Sequence, residues 1–102
     1  MTRTLVIETN KKVNEKVVLK GWVSTVRNHG KIIFIDLIDR TGEVQLVCGN
    51  LDKIPSIQSV VEVVGVVKRR PPKMVNDKIS TGTVEVEVLN LKVIEKGRRN
   101  AF

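Results

Sequence analysis

Cysteine and histidine are almost missing from this sequence, which has one of each, Cys48 and His29, among 102 residues. A single cysteine excludes an intramolecular disulfide, and one cysteine with one histidine is too few for a zinc site built from those ligands. Cys48 ends the apolar stretch VQLVC, a position that favours a small core residue over a nucleophile. We therefore expect neither a metal site nor thiol chemistry.

Long apolar runs are also missing. No stretch approaches the ~20 apolar residues of a membrane-spanning helix, and the start, MTRTLVIETN, lacks the apolar core of a signal peptide. The sequence holds no glycine-rich phosphate loop, and its scattered carboxylates form no Ser/His/Asp pattern. These absences predict a cytoplasmic protein that has no catalytic activity of its own.

Aromatic residues make up only 3% of the chain, whereas basic residues are plentiful. Lysine and arginine number 18 against 11 aspartates and glutamates, which gives a formal net charge of +7. This balance favours a polyanionic partner. Nucleic acid ranks ahead of an anionic membrane surface, because no segment has the pattern of a basic amphipathic helix. A basic surface that only aids solubility is the alternative.

Valine and isoleucine dominate five runs that Gly, Pro, Asn and Asp separate, as in small β-barrels and sandwiches. The predicted strands are Lys16–Arg27, Ile32–Ile38, Glu43–Cys48, Val60–Val67 and Thr83–Ile94. A short helical or irregular segment, GNLDKIPSIQS, separates the third strand from the fourth. We predict one all-β domain, residues 1–102, with the five-stranded Greek-key barrel of an OB-fold. An SH3-like barrel is the alternative, but it fits the insertion after the third strand less well.

The two loops that an OB-fold uses for ligands are both basic here. An OB-fold binds oligonucleotides on the face of strands 2 and 3 and with the loops that join strands 1 to 2 and 4 to 5. In this sequence those loops are RNHGK and KRRPPKMVNDKISTG. The predicted fold and the predicted partner therefore agree.

Alternation of side chains along each strand predicts which residues face the core. The inward set is Ile33, Ile35, Leu37, Val44, Leu46, Cys48, Val84, Val86 and Val88. Phe34, Asp36, Gln45 and Glu85 then fall on the outer face, where an OB-fold holds its ligand. Trp22, in the middle of the first strand, is predicted to lie in the core.

An outward aromatic ring on a basic sheet suits single-stranded nucleic acid, because a base stacked on Phe34 contributes about 1–3 kcal/mol. The amide of Gln45 offers a donor and an acceptor to a base edge, and the carboxylate of Glu85 accepts from a base. Arg27 ends the first strand at the loop, within reach of a phosphate or a base. The plainer alternatives are that Phe34 covers a hydrophobic edge and that the polar groups are ordinary surface residues.

Basic residues also cluster around the two prolines of the loop between strands 4 and 5. The candidates are Lys68, Arg69, Arg70 and Lys73, with Asn76 a few positions later. Such a cluster grips phosphates in nucleic-acid-binding proteins. We predict weaker phosphate contacts here, and a solvated loop is the alternative.

Two segments together resemble a known family. GWVSTVRNHGKIIFIDLIDRTGEVQLV, residues 21–47, closely resembles the N-terminal anticodon-binding OB domain of bacterial aspartyl-tRNA synthetases, through GWV, RNHG, IFIDL, DRTG and VQLV in that order. RPPKMVNDKISTGTVEVEV, residues 70–88, resembles the connection between strands 4 and 5 in the bacterial form. Asparaginyl and lysyl enzymes share the fold but resemble this pattern less.

The resemblance implies roles for single residues. Phe34 matches the phenylalanine that stacks on the middle anticodon base, a uridine, and Gln45 matches the glutamine that helps to read it. Glu85 matches a glutamate at the third base, a cytidine, and Arg27 matches a basic residue at the anticodon. His29 falls at a loop position that bears on whether tRNA for asparagine is also accepted, and a histidine there implies relaxed discrimination.

One position departs from the family pattern. Met74 stands where some bacterial members carry an asparagine, so one polar base contact is lost or is replaced by loop backbone. In the second loop, Lys73 aligns with a neighbouring determinant of tRNA discrimination, but a lysine there does not settle whether tRNA for asparagine is accepted.

The resemblance also implies partners and cofactors. The chain is too short for a whole synthetase, so the catalytic domain that uses ATP and magnesium lies outside it, and this domain needs no cofactor. The chain is then an excised domain or a stand-alone paralogue. We expect it to bind the anticodon stem-loop of tRNA for aspartate and the catalytic domain of its parent, to avoid membranes, and to be a monomer when isolated. The alternatives are a generic single-stranded nucleic-acid-binding module and an OB-based protein-interaction domain.

Overall fold

Five strands close into a barrel in the order β1-β2-β3-β5-β4 in the computed structural model, which describes residues 3–49 and 54–97. The strands are β1 (Lys16–Asn28), β2 (Ile33–Asp39), β3 (Gly42–Cys48), β4 (Val60–Arg69) and β5 (Val84–Glu95). β4 returns to pair with β1, and β5 pairs antiparallel with β4 and parallel with β3. This Greek-key order confirms the predicted five-stranded barrel, with strand ends displaced by one or two residues.

Aliphatic side chains that alternate along the strands fill the barrel. The residues predicted to face inward and found buried are Ile33, Ile35, Leu37, Val44, Leu46, Cys48, Val84 and Val86. Val88 is only partly buried and packs against the edge of this cluster, next to a register shift between Val64 and Gly65. Each fully buried branched side chain stabilises the fold by about 1.5–3 kcal/mol. The barrel is therefore a rigid support for its outer face.

A 3-10 helix at the N-terminal side, Val6–Lys11, has no counterpart among the predicted elements. Val6 is fully buried in the core cluster, and its N–H donates to Oδ2 of Asp39 at 2.9 Å. The next N–H, of Ile7, donates to the hydroxyl of Thr41 at 3.1 Å. Residues of the β2–β3 turn thus hold this segment in place. The sequence did not predict the helix, because six residues are too few to show a helical periodicity and its contacts are distant in the chain.

A β-bulge in β1 reverses the facing of its second half. The pairing of β1 with β2 shifts register between Val23 and Thr25, so Ser24 is the extra residue of the bulge. Before the bulge Val23 faces the core, and after it Val26 packs against the core while Arg27 pairs with Phe34. Strict alternation would have sent Arg27 inward, since it lies four residues after Val23. The bulge therefore delivers Arg27 to the outer face.

The prediction that Trp22 lies in the core is wrong, because its side chain is 43% exposed. Its neighbours on the strand, Gly21 and Val23, are buried, so alternation turns Trp22 outward. The backbone of β2 also lies close to this point, since a Cβ on residue 21 would overlap the carbonyl oxygen of Ile38. A mid-strand position says nothing about which face a residue takes, whereas its parity does.

The connection between β3 and β4 is irregular where the structure describes it. Residues 54–59 form a turn at Ile57 and Gln58, with Gln58 at a positive φ of 71°. Of the two forms predicted for this segment, helical or irregular, the irregular one is found in residues 54–59, and positions 50–53 lie outside the described part. None of the helical segments in the described residues has the length and apolar character that crossing a membrane requires.

Candidate nucleic-acid interface

Most of the predicted site residues line one shallow cavity on the outer face of the barrel. The cavity has a volume of about 420 Å³ and lies where β1, β2 and β3 meet the β4–β5 connection. Its lining residues are Arg27, His29, Phe34, Asp36, Glu43, Gln45, Arg70, Met74, Asn76 and Ile79. Glu85 bonds to this lining through Gln45, whereas Lys68, Arg69 and Lys73 lie outside it.

An ion pair between β1 and β2 orders one side of the cavity. Arg27 donates from Nη1 to Oδ2 of Asp36 at 2.9 Å and from Nη2 to Oδ1 at 3.2 Å. The hydroxyl of Thr25 also donates to Oδ2. The Asp36 side chain is 10% exposed and that of Arg27 is 45% exposed. Two parallel charge-assisted bonds hold the guanidinium plane in one orientation.

A chain of hydrogen bonds continues from this ion pair across two more strands. Nη2 of Arg27 donates to Oε1 of Gln45 at 3.1 Å, and Nε2 of Gln45 donates to Oε1 of Glu85 at 3.2 Å. Gln45 was predicted on the outer face, and its partners place it there, but these neighbours leave it only 7% exposed. The amide is therefore held in place rather than free in solvent.

The ring of Phe34 sits between two groups of the β1–β2 region. Its centroid lies 5.4 Å from that of the His29 ring, at an interplanar angle of 82°, and 6.0 Å from Cζ of Arg27. The T-shaped contact with His29 and the nearby Arg27 cation both stabilise the position of the Phe34 ring electrostatically. Phe34 lies on the outer face as predicted, and these neighbours leave it half-buried.

Arg70 does not belong to the exposed basic cluster in which the sequence placed it. It is 8% exposed, and its guanidinium donates to the carbonyl oxygens of Val84 at 2.9 Å and Met74 at 3.4 Å. Burial lowers the pKa of Arg70, although the negative charges of Glu85 and Asp36 oppose that shift. Arg70 therefore ties the two ends of the β4–β5 connection together at the wall of the cavity.

The remaining basic residues of the cluster lie where solvent reaches them. Arg69 and Lys73 are exposed, and Lys68 is half-buried. Lys73 is part of the short 3-10 helix Pro72–Met74. Their exposure is compatible with phosphate contacts, and their predicted role stays a prediction.

Asn76 is positioned by a tight loop that closes on Gly82. The N–H of Asn76 donates to the carbonyl of Gly82 at 3.0 Å, and its Oδ1 accepts from the N–H of Lys78 at 3.0 Å. A Cβ on residue 82 would overlap the carbonyl oxygen of Asn76, so only glycine permits this approach. The loop brings Met74, which is 53% exposed, to the rim of the cavity.

Sequence reasoning placed Asp36 on the correct face but gave it no part in the site. Its bonds to Thr25 and Arg27 depend on the bulge, and nothing in the sequence pattern marks a bulge residue such as Ser24. Alternation alone supplied the one usable signal, that Asp36 and Phe34 share a face.

A larger cavity of about 910 Å³ lies elsewhere, between the turn before β4 and the end of β5. Its lining includes Ile54, Val93 and Ile94, and Lys96 is the one charged residue among the described residues that line it. Size therefore does not select the site, because a polyanion needs the charge and hydrogen-bonding groups of the smaller cavity. Within residues 3–49 and 54–97, no three His, Cys, Asp or Glu side chains approach closely enough to hold a metal ion.

The sequence of this chain is similar to a known domain family and to several known proteins. Residues 17–94 match the family model for the OB-fold nucleic acid binding domain. The aspartate–tRNA ligase of Halalkalibacterium halodurans is 45% identical over 98 residues, 88% of this chain and 16% of that protein. The aspartate–tRNA(Asp/Asn) ligase of Thermoanaerobacter pseudethanolicus is 42% identical over 98 residues, 88% of this chain and 17% of that protein.

A solved structure shows the same barrel at lower identity. The crystal structure of asparaginyl-tRNA synthetase from Pyrococcus horikoshii, complexed with asparaginyl-adenylate, superposes with a TM-score of 0.78 at 29% identity. The match covers 99% of this chain and 24% of that one. The chain thus corresponds to a small part of each relative.

Proposed function

Because the chain belongs to the family of OB-fold nucleic-acid-binding domains, we propose that it is the anticodon-binding domain of an aspartyl-tRNA synthetase. Its identity to bacterial aspartate–tRNA ligases over most of its length supports this assignment. Since the chain spans 16% of the first of those relatives, it corresponds to a non-catalytic part and carries out no aminoacylation alone. ATP and magnesium act in the catalytic domain, which is a partner of this one.

The observation that carries the proposal is the grouping of Phe34, Gln45 and Glu85 in and beside one cavity. Sequence-specific RNA recognition targets single-stranded loops, whose bases stack on aromatic rings and are read at their edges by hydrogen bonds. The Phe34 ring offers the stacking surface, and the Gln45 amide and the Glu85 carboxylate lie along the next two strands of the sheet. A splayed loop crossing these strands meets a stacking group first and reading groups next.

Gln45 keeps the capacity to read a base despite its internal bonds. An amide has two N–H donors and two acceptor lone pairs on its oxygen. One donor goes to Glu85 and one lone pair to Arg27. One donor and one acceptor remain, the pair that the edge of the middle uridine requires. Glu85 likewise keeps acceptor sites for the amino group of a cytidine at the third position.

Basic side chains around the cavity supply the sequence-independent part of the binding. Arg69 and Lys73 are exposed at the β4–β5 connection, and the whole chain carries a net charge of +7. Contacts of lysine and arginine with phosphates release counterions, so binding weakens as salt rises. We propose that these residues and Lys68 hold the backbone, while His29 at the β1–β2 loop influences whether tRNA for asparagine is accepted. We further infer a cytoplasmic domain that is monomeric when isolated.

The test is binding of the domain to three anticodon stem-loops at one fixed salt concentration. The loops carry GUC, the same sequence with its middle uridine replaced, and GUU for asparagine. Each is measured with the native domain, with Phe34→Ala and with a control, Leu89→Ala, which removes a 60% exposed side chain from β5 outside the cavity. Fluorescence anisotropy gives each dissociation constant.

We expect GUC to bind best, and both the uridine change and Phe34→Ala to weaken binding at least about tenfold, as for a lost stack. Leu89→Ala should bind like the native domain. The GUU loop then reports on His29. Equal binding of all loops, with no effect of Phe34→Ala, would instead identify a generic single-stranded nucleic-acid-binding module, and absence of salt-dependent RNA binding would favour a protein-interaction domain.

A further inference from the structure

We propose that Asp36 is a positioning residue for anticodon reading: it holds the Arg27 guanidinium in one orientation and, through Arg27, fixes the oxygen of the Gln45 amide. The inference rests on the proposed function and adds to it a residue that acts without touching the RNA. Its basis is the ion pair of Arg27 with Asp36, the only one within 4.0 Å among residues 3–49 and 54–97.

Asp36 has little capacity left for a ligand. Its residue is 7% exposed, and its carboxylate already accepts from the Thr25 hydroxyl and from both terminal nitrogens of Arg27. A carboxylate offers about four lone-pair sites, and three are in use. We therefore expect Asp36 to act on RNA binding through the groups that it holds.

The polarity of the network decides how Gln45 faces. Arg27 carries only donors and Glu85 only acceptors, so the amide between them must turn its oxygen to Arg27 and its nitrogen to Glu85. The distances, 3.1 Å and 3.2 Å, fit this direction of bonding. Asp36 is the acceptor at the far end that keeps the Arg27 donors aligned. Without Asp36, the Arg27 guanidinium is no longer held in one orientation, so the oxygen of Gln45 loses a donor in a fixed place.

Asp36 also neutralises a cation that would otherwise be free to bind any phosphate. Arg27 is 45% exposed at its side chain and lies at the rim of the cavity. A mobile guanidinium there favours the phosphates of every loop equally, because phosphate contacts carry no sequence information. Loss of Asp36 should therefore raise binding to the wrong loops and lower discrimination at the middle base. A variant that is merely destabilised would bind all loops more weakly.

The experiment compares Asp36→Asn with Glu87→Gln. Both variants remove one negative charge from the barrel, but Glu87 is exposed on β5, lies outside the cavity and is not paired with Arg27. Binding to the GUC loop and to the loop with its middle uridine replaced is measured for each. The discrimination ratio is the dissociation constant for the altered loop divided by that for the GUC loop. We expect this ratio to fall about tenfold in Asp36→Asn, the scale of a lost hydrogen bond to a charged group. In Glu87→Gln this ratio should stay at its native value.

A double-mutant cycle with Arg27→Met tests whether Asp36 acts through Arg27. If it does, adding Asp36→Asn to Arg27→Met causes no further loss of discrimination, so the two effects are not additive. Additive losses would overturn the proposed route. If Arg27→Met fails to fold, Asp36→Asn is compared with the double variant, and equal discrimination in the two shows that Arg27 no longer contributes once Asp36 is lost.

Nuclear magnetic resonance of the RNA-free domain separates this inference from the proposed function. Exchange of the Arg27 Nε–H proton with water and rotation of the Arg27 guanidinium should both be slow in the native domain and fast in Asp36→Asn. An Arg27 equally ordered in both overturns the positioning role. If Arg27 loosens but the discrimination ratio does not change, the role in recognition is overturned. If the native domain itself does not discriminate, the proposed function fails, and the Arg27 signals alone then report on the ion pair.

Discussion

Gln45 donates a hydrogen bond from Nε2 to Oε1 of Glu85 at 3.2 Å, although 40 positions of the chain separate them. The parallel pairing of β3 with β5, in which Leu46 lies opposite Val86, brings the two residues side by side. Neither residue is near the other in sequence, and each belongs to a different segment of the family pattern. The parallel ladder is therefore what joins the two halves of the candidate site.

Glu85→Gln should reduce discrimination at the bases read by this pair. A glutamine both donates and accepts, so it no longer forces the nitrogen of Gln45 towards it. We expect binding to GUC to weaken by about tenfold, the scale of a charged hydrogen bond, with the loss smaller for altered loops. The matched control is Glu87→Gln, an exposed residue on the same strand, which should leave the ratios unchanged. Equal ratios in native and Glu85→Gln domains would count against a reading role.

Asp39→Asn should destabilise the domain at neutral pH and less so in acid. Burial alone would raise the pKa of Asp39, but hydrogen bonds from Thr41 and from the N–H of Val6 outweigh it, and the pKa is lowered from 3.8. A carboxyl with a lowered folded pKa contributes stability above its unfolded pKa, which is lost as the pH falls through the folded value.

The measurement is urea unfolding of native and Asp39→Asn domains from pH 7 down to pH 3. We expect a difference of about 1–3 kcal/mol at pH 7 that shrinks below about pH 4. Asp77→Asn, in the exposed part of the β4–β5 connection, should show no such difference. A difference that does not depend on pH would mean that the charge of Asp39 does not anchor the 3-10 helix.

Cys48 should resist thiol reagents while the domain is folded. Its residue is 1% exposed, and burial raises the pKa of its thiol from 9.0 to about 11. The thiolate is the reactive form, so modification by a disulfide reagent at pH 8 should be slow and should become fast in guanidinium. Rapid reaction of the native domain would show that the barrel opens at β3.

The same shift predicts a loss of stability at high pH. Between the unfolded and folded pKa values, from 9 to about 11, the folded state binds more protons, so the free energy of unfolding falls as the pH rises. The expected loss is about 2 kcal/mol by pH 11. Cys48→Ala should remove this part of the slope, and an unchanged slope would contradict the shift.

Trp22 should behave as a surface fluorophore. It is the only tryptophan and is 43% exposed, so acrylamide should quench its emission in the native domain. Trp22→Ala should cost less stability than Leu19→Ala, which removes a fully buried side chain at about 2–5 kcal/mol. Weak quenching with a large cost would show that another part of the chain covers Trp22.

The outer-face residues were predictable because strand alternation is a local property. Phe34, Gln45 and Glu85 each follow from the apolar residues on either side of them, without knowledge of which strands pair. Trp22 obeys the same rule, and its prediction failed only because its position in the strand was weighed above its parity. Arg70 could not be predicted, since its burial depends on carbonyl oxygens of Met74 and Val84.

By itself the sequence determined the number and order of the strands, the core face of β2, β3 and β5, the basic charge and the family resemblance. These depend on composition and on spacing within a few residues, which the chain carries at every point. Only the tertiary structure decided that Arg27 faces outward, that Asp36 holds it, and that Gln45 meets Glu85. The reason is that a bulge is an irregularity that alternation does not encode, and that cross-strand neighbours are chosen by the register of the closed barrel.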